Sequence, residues 1–329
     1  MDYKNKTVLI TGGTGSFGRK FVELMLKKYR LKKLIIFSRD EYKQFEMKKR
    51  FKDKNIRFFL GDVRDAERLH RALHGVDVVI HAAALKQVPA LEYDPFEAVK
   101  TNVLGAENII NAAIDCKVKQ VLALSSDKAV NPINLYGATK LCADKLFVAG
   151  NAYSGDVKTV FSVVRYGNVF NSRGSVVPFF KEQRKTGTVT ITDKRMTRFW
   201  ITLEQGVNFV LKCLDIMQGG EIFTPKIPSM KITDLAEAIC PECKIKVIGI
   251  RPGEKLHEML VPADESHNTV EFENMYIILP AFDEICVYKR GPRYKPVKNG
   301  FTYSSDNNTR WLTARDLKAL LAKEGQDDR

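Results

Sequence analysis

The stretch VLITGGTGSFG, residues 8–18, decides the fold. It opens with an apolar, β-rich run, and Phe17, Phe21 and Leu24 then recur at the spacing of an amphipathic helix. Glycines between strand and helix let the backbone approach a pyrophosphate at the positive end of the helix. A flexible turn is the alternative for a glycine motif alone, and the strand-loop-helix context disfavours it. We therefore predict a dinucleotide site formed by Gly12, Thr14, Gly15, Ser16, Phe17 and Gly18.

Strand-like and helix-like segments alternate through the first 165 residues. The β-rich runs are residues 8–10, 34–37, 57–60, 78–80, 121–124 and 160–164. Strands that alternate with helices form a parallel sheet covered on both faces. We therefore predict an α/β fold, a Rossmann-type doubly wound parallel sheet with a smaller α+β substrate-binding domain. The expected domains are 1–165 for the dinucleotide and 166–329 for the substrate, with residues near 195–220 returning to the first.

Composition narrows the class of protein. The chain has 329 residues, 44% of them hydrophobic, which suffices for a sizeable core. No apolar stretch reaches the roughly 18 residues that span a bilayer, and the polar start runs directly into a strand, so we expect no membrane segment and no signal peptide. Six scattered cysteines favour reduced thiols in a cytoplasmic protein. Cys240 and Cys243 have zinc-knuckle spacing without a second pair, so we predict no metal site.

The chain is strongly basic, with a formal charge of +14 and a pI near 9.4. Such a charge can signal nucleic acid, a membrane surface or polyanionic small ligands. The lysines and arginines are interspersed with acids rather than gathered in one block, as around Lys48 to Lys54. We read them as solvated helix faces and expect no nucleic-acid partner.

The tip of the second strand discriminates between dinucleotides. An NAD enzyme would place an acid there for the ribose 2′-hydroxyl, whereas this chain reads Ser38-Arg39-Asp40 with Lys43 one turn later. Ser38, Arg39 and Lys43 suit a 2′-phosphate, which favours NADP. Asp40 has a second explanation as the cap of the next helix.

Two further strand ends complete the predicted cofactor site. Asp62 and Val63 follow the third strand and are expected at the adenine edge. Ala82 and Ala83 follow the fourth strand and are expected to line the dinucleotide with small side chains. We expect His81 to be a structural histidine.

The catalytic candidates are Asp127 and Lys128, after an apolar run, and Tyr136 and Lys140, four residues apart on one helix face. A nearby lysine is expected to lower the pKa of the tyrosine, giving a base for alcohol oxidation. Oxidation to a ketone acidifies the neighbouring C–H, so Lys128 and Asp127 can then act as base and acid in an elimination. As a base Lys128 needs a lowered pKa, which burial beside a cationic nicotinamide would give. A salt-bridged strand end is the alternative for this pair.

These motifs together resemble an extended short-chain dehydrogenase/reductase and, more narrowly, the inverting UDP-N-acetylglucosamine 4,6-dehydratases (5-inverting) of pseudaminic acid biosynthesis. In the retaining dehydratases a glutamate follows the aspartate, and lysine at that place, Lys128 here, marks the inverting group. The likeness covers nearly the whole chain, in residues 11–18, 38–41, 61–65, 81–86, 126–140, 165–180, 196–201 and 251–258.

The resemblance implies a reaction on UDP-N-acetylglucosamine. Tyr136 assists oxidation of C4 by NADP, Lys128 takes the C5 proton, Asp127 protonates the leaving C6 hydroxyl, and hydride returns to C6. Reprotonation at C5 from the opposite face inverts that centre, and either Lys128 or Tyr136 supplies the proton. The resemblance also implies a homo-oligomer, often a hexamer.

Further residues follow from the resemblance. Leu124, Ser125 and Val169 join the cofactor site, and Lys86 approaches both cofactor and sugar. Arg198 and Arg251 are candidate diphosphate clamps, since guanidinium forks suit phosphate oxygens, with a surface ion pair as the alternative for each. The expected nucleotide-sugar contacts are Lys86, Asn168, Arg173, Gly174, Ser175, Val176, Val177, Pro178, Arg198 and Arg251.

Two rival functions remain open from the sequence. One is a retaining 4,6-dehydratase or 4-epimerase acting on another nucleotide-sugar. The other is a non-catalytic dinucleotide-sensing protein, against which the intact set of Tyr136, Lys140, Asp127 and Lys128 argues.

Overall fold

The computed structural model describes residues 3–170, 172, 175–281 and 293–327. Its strands are β1 (Thr7–Thr11), β2 (Lys33–Ser38), β3 (Ile56–Leu60), β4 (Val78–His81), β5 (Gln120–Leu124), β6 (Val160–Val164), β7 (Asn168–Val169), β8 (Thr188–Ile191), β9 (Thr197–Ile201), β10 (Ile222–Pro225), β11 (Ser229–Lys231), β12 (Lys244–Val247), β13 (Met259–Val261), β14 (Thr269–Phe272), β15 (Met275–Ile278), β16 (Lys295–Pro296) and β17 (Tyr303–Ser304).

The helices are α1 (Ser16–Lys28), α2 (Glu41–Arg50), α3 (Ala66–Leu73), α4 (Val88–Tyr93), α5 (Pro95–Ala98), α6 (Gly105–Asp115), α7 (Leu135–Tyr153), α8 (Val176–Gln183), α9 (Leu203–Ile216), α10 (Ile232–Ile239) and α11 (Ala314–Asp327). A π-helical turn, Val99–Leu104, joins α5 to α6. Apart from α7 and α11, the longest helices are α1, in the first half of the chain, and α9, around residue 210. None of the helices in the described part of the chain is long and apolar enough to cross a membrane.

A single large sheet organises the molecule, and its strand order is β16-β14-β15-β10-β6-β5-β4-β1-β2-β3. The seven strands from β3 to β10 are parallel, and β15 then pairs antiparallel with β10. All five residues of β1 are buried, as expected for a strand covered on both faces. The six β-rich runs of the sequence coincide with β1 to β6, so the predicted Rossmann-type sheet is confirmed.

The order of the strands locates the site. From β1 the chain adds β2 and β3 on one side and then β4, β5 and β6 on the other. Such a reversal leaves a crevice at the carboxyl ends of the two strands on either side of it, here β1 and β4. In that crevice the ends of β1 and β4 lie side by side, with Thr11 paired to His81.

Two hydrophobic cores lie in the structure. The larger one surrounds the big sheet and includes Val207 to Leu214 of α9 and Val270 to Ile278 of β14 and β15. The smaller one is built around Phe180, Trp200 and Leu235. The chain thus returns to the first core near residue 199 and again near residue 260. We therefore propose to divide the chain by core rather than by a single boundary at residue 165.

Candidate active site

A cleft of about 1750 Å³ runs along the carboxyl ends of the parallel strands. It brings together most of the residues predicted from the sequence. Those that line it are Gly12, Thr14, Gly15, Ser16, Phe17, Gly18, Ser38, Arg39, Lys43, Asp62, Val63, Ala82, Ala83, Lys86, Leu124, Ser125, Lys128, Tyr136, Lys140, Asn168, Val169, Ser175, Val176, Pro178, Arg198 and Arg251.

The glycine loop is packed so closely that side chains would not fit. Gly12 has a φ of +64°, and a Cβ there would lie 2.9 Å from the backbone nitrogen of Ala83. A Cβ on Gly18 would lie 2.3 Å from the carbonyl oxygen of Gly13. The loop therefore presents bare backbone and the positive end of α1 to the cleft, which fits the pyrophosphate of a nicotinamide dinucleotide.

Thr11 and His81 connect the ends of β1 and β4 beneath this loop by hydrogen bonds. The Thr11 hydroxyl oxygen accepts hydrogen bonds from the backbone N–H of Ala82 (3.1 Å) and Ala83 (3.2 Å), and it lies 2.9 Å from Nδ1 of His81. The hydroxyl proton is therefore directed at Nδ1, which makes His81 a neutral imidazole with its proton on Nε2. Burial, aided by the charge of Lys140, lowers the pKa of His81 to about 3. The structural role predicted for His81 agrees with this geometry.

The residues predicted to select the dinucleotide lie together at the tip of β2. Gln44 donates to the Ser38 hydroxyl (3.0 Å), which leaves that hydroxyl proton to donate elsewhere. Asp40 caps α2 by accepting from the Lys43 backbone N–H (2.9 Å) and pairs with the Lys43 ammonium. The Arg39 side chain is 55% exposed and lies 3.7 Å from Asp62. Asp40 therefore acts as the helix cap, and Arg39 is available at the surface.

Asp62 lines the cleft and also forms an ion pair. Its carboxylate accepts from Arg64 at 2.8 Å. Burial would raise the pKa of Asp62, but the hydrogen bonds and charge of Arg64, with a smaller effect from Arg39, lower it overall. Asp62 is thus an anion whose oxygens accept hydrogen bonds from their neighbours.

Tyr136 and Lys140 lie in the first turns of α7, as predicted. Nζ of Lys140 donates to the carbonyl oxygen of Leu124 (2.7 Å), which ties α7 to the end of β5. The prediction that Lys140 lowers the pKa of Tyr136 is wrong for this structure. Burial raises the pKa of Tyr136 to about 12, and the opposing effects come from Lys128 and a hydrogen bond with Ser126.

Lys128 lies on the wall of the cleft, and three hydrogen-bond acceptors surround its amine. Its Nζ lies 2.8 Å from Oδ1 of Asp127, 2.9 Å from Oδ1 of Asn168 and 3.3 Å from Oε1 of Glu258. Burial would lower the pKa of Lys128, but Asp127 and Glu258 raise it overall. In this structure the pKa of Lys128 is therefore raised, because two carboxylates outweigh the desolvation of the amine; the lowering expected beside the cationic nicotinamide ring stays a prediction.

Ser126 caps the 3₁₀ turn of residues 127–129, which is named the catalytic turn for the roles predicted for Asp127 and Lys128. Asp127 is fully buried, and its Oδ1 accepts from the Ser126 hydroxyl (2.8 Å). Its Oδ2 is buried without a hydrogen-bond partner in the part of the chain that the structure describes. Ser126 lines the cleft and was absent from the predicted set, although its place directly before Asp127 is a usable signal.

Lys86 reaches the same region from the loop after β4. Burial, and secondarily the charge of Lys128, lower the pKa of Lys86. Asn102 of the π-helical turn holds this loop, because its side chain bonds both the N–H (2.8 Å) and the carbonyl (2.9 Å) of Leu85. Asn102 was not among the predicted residues, because its role depends on a local helix distortion that periodicity does not reveal.

Not all of the residues predicted to contact the nucleotide-sugar face the cleft. Ser175, Val176 and Pro178 line the cleft, while the Val177 side chain is fully buried in the smaller core. Val177 therefore serves packing, since α8 turns that position away from the cleft. Arg173 and Gly174 lie outside the described residues.

Arg198 and Arg251 have different surroundings. Arg198 is nearly buried, and its guanidinium donates to the carbonyl oxygens of Thr197 (2.7 Å), Leu256 (3.0 Å) and Lys255 (2.8 Å). These bonds favour a scaffolding role over the predicted diphosphate clamp. Arg251 is exposed at the rim of the cleft, where a diphosphate can reach it.

The segment 251–258 closes one side of the cleft over the catalytic turn. Asn134, the cap of α7, donates to the carbonyl oxygen of Gly253 (2.7 Å), and the Lys255 ammonium donates to the carbonyl of Val130. Lys255 and Glu258 line the cleft but were not predicted. They belong to a stretch that carries the family resemblance, so that likeness was the available signal. In the described ranges, no cluster of three or more His, Cys, Asp or Glu residues is arranged to hold a metal ion.

The glycine loop lies at the sheet reversal, Tyr136, Lys128 and Lys140 line the same cleft, and Asp127 is buried beside Lys128. This arrangement defines a dinucleotide-dependent enzyme of the short-chain dehydrogenase/reductase type. The chain belongs to the polysaccharide biosynthesis protein family, whose sequence signature matches residues 8–280.

Its relatives include dehydratases and epimerases. The chain is 55% identical over 327 residues to a UDP-N-acetylglucosamine 4,6-dehydratase (inverting) of Campylobacter jejuni subsp. jejuni serotype O:23/36, covering 97% of this chain and 98% of that protein. It is 45% identical over 330 residues to a UDP-glucose 4-epimerase of Rickettsia conorii, covering 97% and 96%. The solved structure of Pen from Bacillus thuringiensis superposes with a TM-score of 0.91 at 40% identity, covering 99% of each chain.

Proposed function

We propose that this protein is an NADP-dependent UDP-N-acetylglucosamine 4,6-dehydratase that inverts C5. Its product would be UDP-2-acetamido-2,6-dideoxy-β-L-arabino-hex-4-ulose, in the first step of pseudaminic acid biosynthesis in the cytoplasm. The observation that carries the proposal is the Asp127–Lys128 pair beside the cleft that also holds Tyr136. A plain alcohol dehydrogenase has no use for this second acid/base pair. The 55% identity to an inverting dehydratase supports the same reaction.

Tyr136 serves the oxidation of C4. Its phenolate would take the proton of the C4 hydroxyl, which requires the pKa of the phenol, about 12 in this structure, to fall when the site is filled. When bound, the oxidised dinucleotide supplies a hydride acceptor and a positive charge, which favours a phenolate. Lys140 would hold the end of β5 in place through Leu124 and add its charge to the site.

Lys128 and Asp127 serve the elimination. Lys128 would take the proton from C5, whose acidity the C4 ketone increases, and Asp127 would give a proton to the C6 hydroxyl as it leaves as water. The Lys128 amine lies on the cleft wall with Asp127 buried directly behind it. Hydride returns to C6, and a proton delivered to the opposite face of C5 inverts that carbon.

The cofactor is proposed to be NADP because of the tip of β2. Arg39 is largely exposed there, the Ser38 hydroxyl can donate, and Asp40 is engaged as the cap of α2. A ribose 2′-phosphate would take a guanidinium and a hydroxyl donor at this place. NAD has no phosphate at this position to bind either group.

The nucleotide-sugar is proposed to lie between α8 and the segment 251–258. Asn168, Ser175, Val176 and Pro178 would contact it from one side, and Arg251 would meet the diphosphate from the other. We also propose a homo-oligomer, since Tyr93 and Phe96 on α4 and α5 are 87% and 77% exposed.

A second candidate is 4-epimerisation of a UDP-sugar, which the 45% identity to a UDP-glucose 4-epimerase favours. That reaction needs Tyr136 and the dinucleotide but no group that removes the C5 proton. The Asp127–Lys128 pair therefore favours the dehydratase.

Incubation with UDP-N-acetylglucosamine in deuterated water, followed by NMR of the product, tests the proposal. Inverting dehydration gives a 4-keto-6-deoxy sugar of L-arabino configuration that carries deuterium at C5. The same ketone with the original C5 configuration indicates a retaining enzyme, and an unlabelled C4 epimer indicates an epimerase. Absence of any conversion across several UDP-sugars refutes an enzymatic role.

A further inference from the structure

Glu258 is a buried acid that faces the proposed base, and neither the motifs nor the relatives assign it a role. Its side chain is 4% exposed, and Oε1 lies 3.3 Å from Nζ of Lys128 and 3.8 Å from Nε of Arg198. Its Oε2 lies 4.0 Å from the Lys255 ammonium and has no hydrogen-bond partner within the described ranges. A buried carboxylate destabilises the folded protein unless positive groups or hydrogen bonds compensate its charge.

Glu258 is held rigidly by its own backbone. Its N–H donates to the Ser305 hydroxyl (2.9 Å), and its carbonyl accepts from the Ser305 N–H (2.7 Å). The Arg198 guanidinium binds the carbonyls of Lys255 and Leu256 just before it. The carboxylate is therefore fixed relative to Lys128, unlike a surface ion pair between mobile side chains.

The contacts of Lys128 show what Glu258 adds. An ammonium has three N–H donors, and three oxygens surround this one, from Asp127, Asn168 and Glu258. Asp127 and Asn168 come from the catalytic turn and β7, whereas Glu258 comes from the segment on the other side of the cleft. Glu258 thus supplies the third contact and a second negative charge.

We propose that Glu258 is a positioning residue for the dehydration proposed above, which fixes the Lys128 amine at the cleft wall and holds it in the charged form. This inference rests on the proposed function and names one more residue for it. Lys128 then starts each turnover as an ammonium, and it passes a proton to Asp127, 2.8 Å away, before it removes the one on C5.

The charges around Lys128 determine what loss of Glu258 would do. Negative charge comes from Asp127 and Glu258, positive charge from Arg198, Lys86 and Lys255, and the Tyr136 phenol lies nearby. Burial and the charge of Arg198 lower the pKa of Lys128, whereas Asp127 and Glu258 raise it. Removing one carboxylate must therefore lower that pKa.

Trace acetylation with acetic anhydride across a pH series, quantified on the Lys128 peptide by mass spectrometry, measures the deprotonation midpoint of this amine. In Glu258→Gln the midpoint should fall by roughly one to three pH units, as expected when an opposite charge within 4–6 Å is lost. Glu254→Gln is the matched control. Glu254 lies 3.8 Å from the same Arg198 but, in the part of the chain that the structure describes, forms no ion pair or hydrogen bond with Lys128, so this variant should leave the midpoint unchanged. Equal midpoints in wild type and Glu258→Gln overturn the proposal.

Glu258→Asp keeps the inference testable if the Gln variant does not fold. This variant keeps the negative charge but places it one methylene farther from Lys128. The deprotonation midpoint of Lys128 should therefore lie between those of wild type and Glu258→Gln. A midpoint equal to that of wild type in Glu258→Asp, when the Gln variant cannot be obtained, also counts against the proposal.

Turnover gives the second measurement. The acid limb of the kcat/KM profile for UDP-N-acetylglucosamine should move to lower pH in Glu258→Gln, in step with the acetylation midpoint. A lower kcat with an unmoved limb would mean a merely structural role. Because acetylation needs no substrate, an inactive wild-type enzyme would refute the proposed function and leave the test of Glu258 intact.

Discussion

Gly137, the residue after the proposed catalytic tyrosine, allows α7 to pack directly on the catalytic turn. A Cβ there would lie 2.2 Å from the carbonyl oxygen of Lys128 and 2.9 Å from Cβ of Pro132. The nearest obstacle is backbone, so a side chain cannot simply rotate away. Gly137→Ala must therefore push α7 and the turn apart by about 1 Å to restore ordinary van der Waals contact.

The expected effect on stability combines two opposing contributions. Alanine favours a helix over glycine by about 0.5–1 kcal/mol, whereas overpacking a close contact costs about 1–3 kcal/mol. We expect Gly137→Ala to lose about 1–2 kcal/mol in the free energy of unfolding. Displacement of Lys128 by about 1 Å from its place beside Tyr136 should lower kcat about 100-fold.

Gly206→Ala is the matched control. Gly206 also lies inside a helix, α9, but a Cβ there would have no heavy atom within 4 Å. This variant should gain up to about 1 kcal/mol and keep its kcat. Urea unfolding followed by circular dichroism measures the stability of each protein, and formation of the 4-keto product measures its kcat. If Gly137→Ala were as stable and as active as wild type, the close packing of α7 on the turn would not constrain the site.

Four further predictions concern other residues of the cleft and of the core. Lys128→Ala should abolish 4-keto product formation while NADP, detected in the purified protein by absorbance, remains bound; product formation by this variant would exclude Lys128 as the base. Arg39→Ala should raise the Kd for NADP at least 10-fold relative to that for NAD, by fluorescence titration, and an unchanged ratio would contradict a 2′-phosphate contact. Arg165→Met leaves Asp144, 3.0 Å from the guanidinium, as a buried unpaired charge, so urea unfolding should show a loss of about 3–5 kcal/mol, and a loss under 1 kcal/mol would contradict this. His81 is neutral in the folded chain and takes up a proton only on unfolding between pH 6.5 and about 3, so stability falls as the pH falls through this window. His81→Asn should flatten that slope by up to about 1.4 kcal/mol per pH unit, and an identical slope would mean that His81 is charged when folded.

The dinucleotide half was predictable because its signals are local. A glycine loop between a buried strand and a helix, and a tyrosine and lysine four residues apart, each specify geometry within a few residues. The first six strands and the position of Tyr136 and Lys140 on one helix therefore follow from short-range patterns.

The remaining features depend on contacts between distant parts of the chain. The pKa of Lys128 is raised not only by the adjacent Asp127 but also by Glu258, which lies 3.3 Å away in space and far along the sequence. The guanidinium of Arg198 is directed to the backbone of residues 255 and 256, so its motif alone suggested a ligand contact that its hydrogen bonds do not favour. In the same way, an apolar pattern cannot say which sheet β14 and β15 will join.

The late strands of the large sheet affect how this protein must be made. The edge of β6 is covered by β10, and the Arg165 side chain at its end is paired with Glu265, which lies beyond β10 in the chain. During synthesis, β6 leaves the ribosome as an open strand edge long before β10 exists, and its Arg165 has Asp144 but not yet Glu265 as an ion-pair partner. Exposed edges of this kind promote aggregation. A fragment cut after residue 165 would keep that edge permanently open, so the dinucleotide half is a poor unit for expression or for domain exchange.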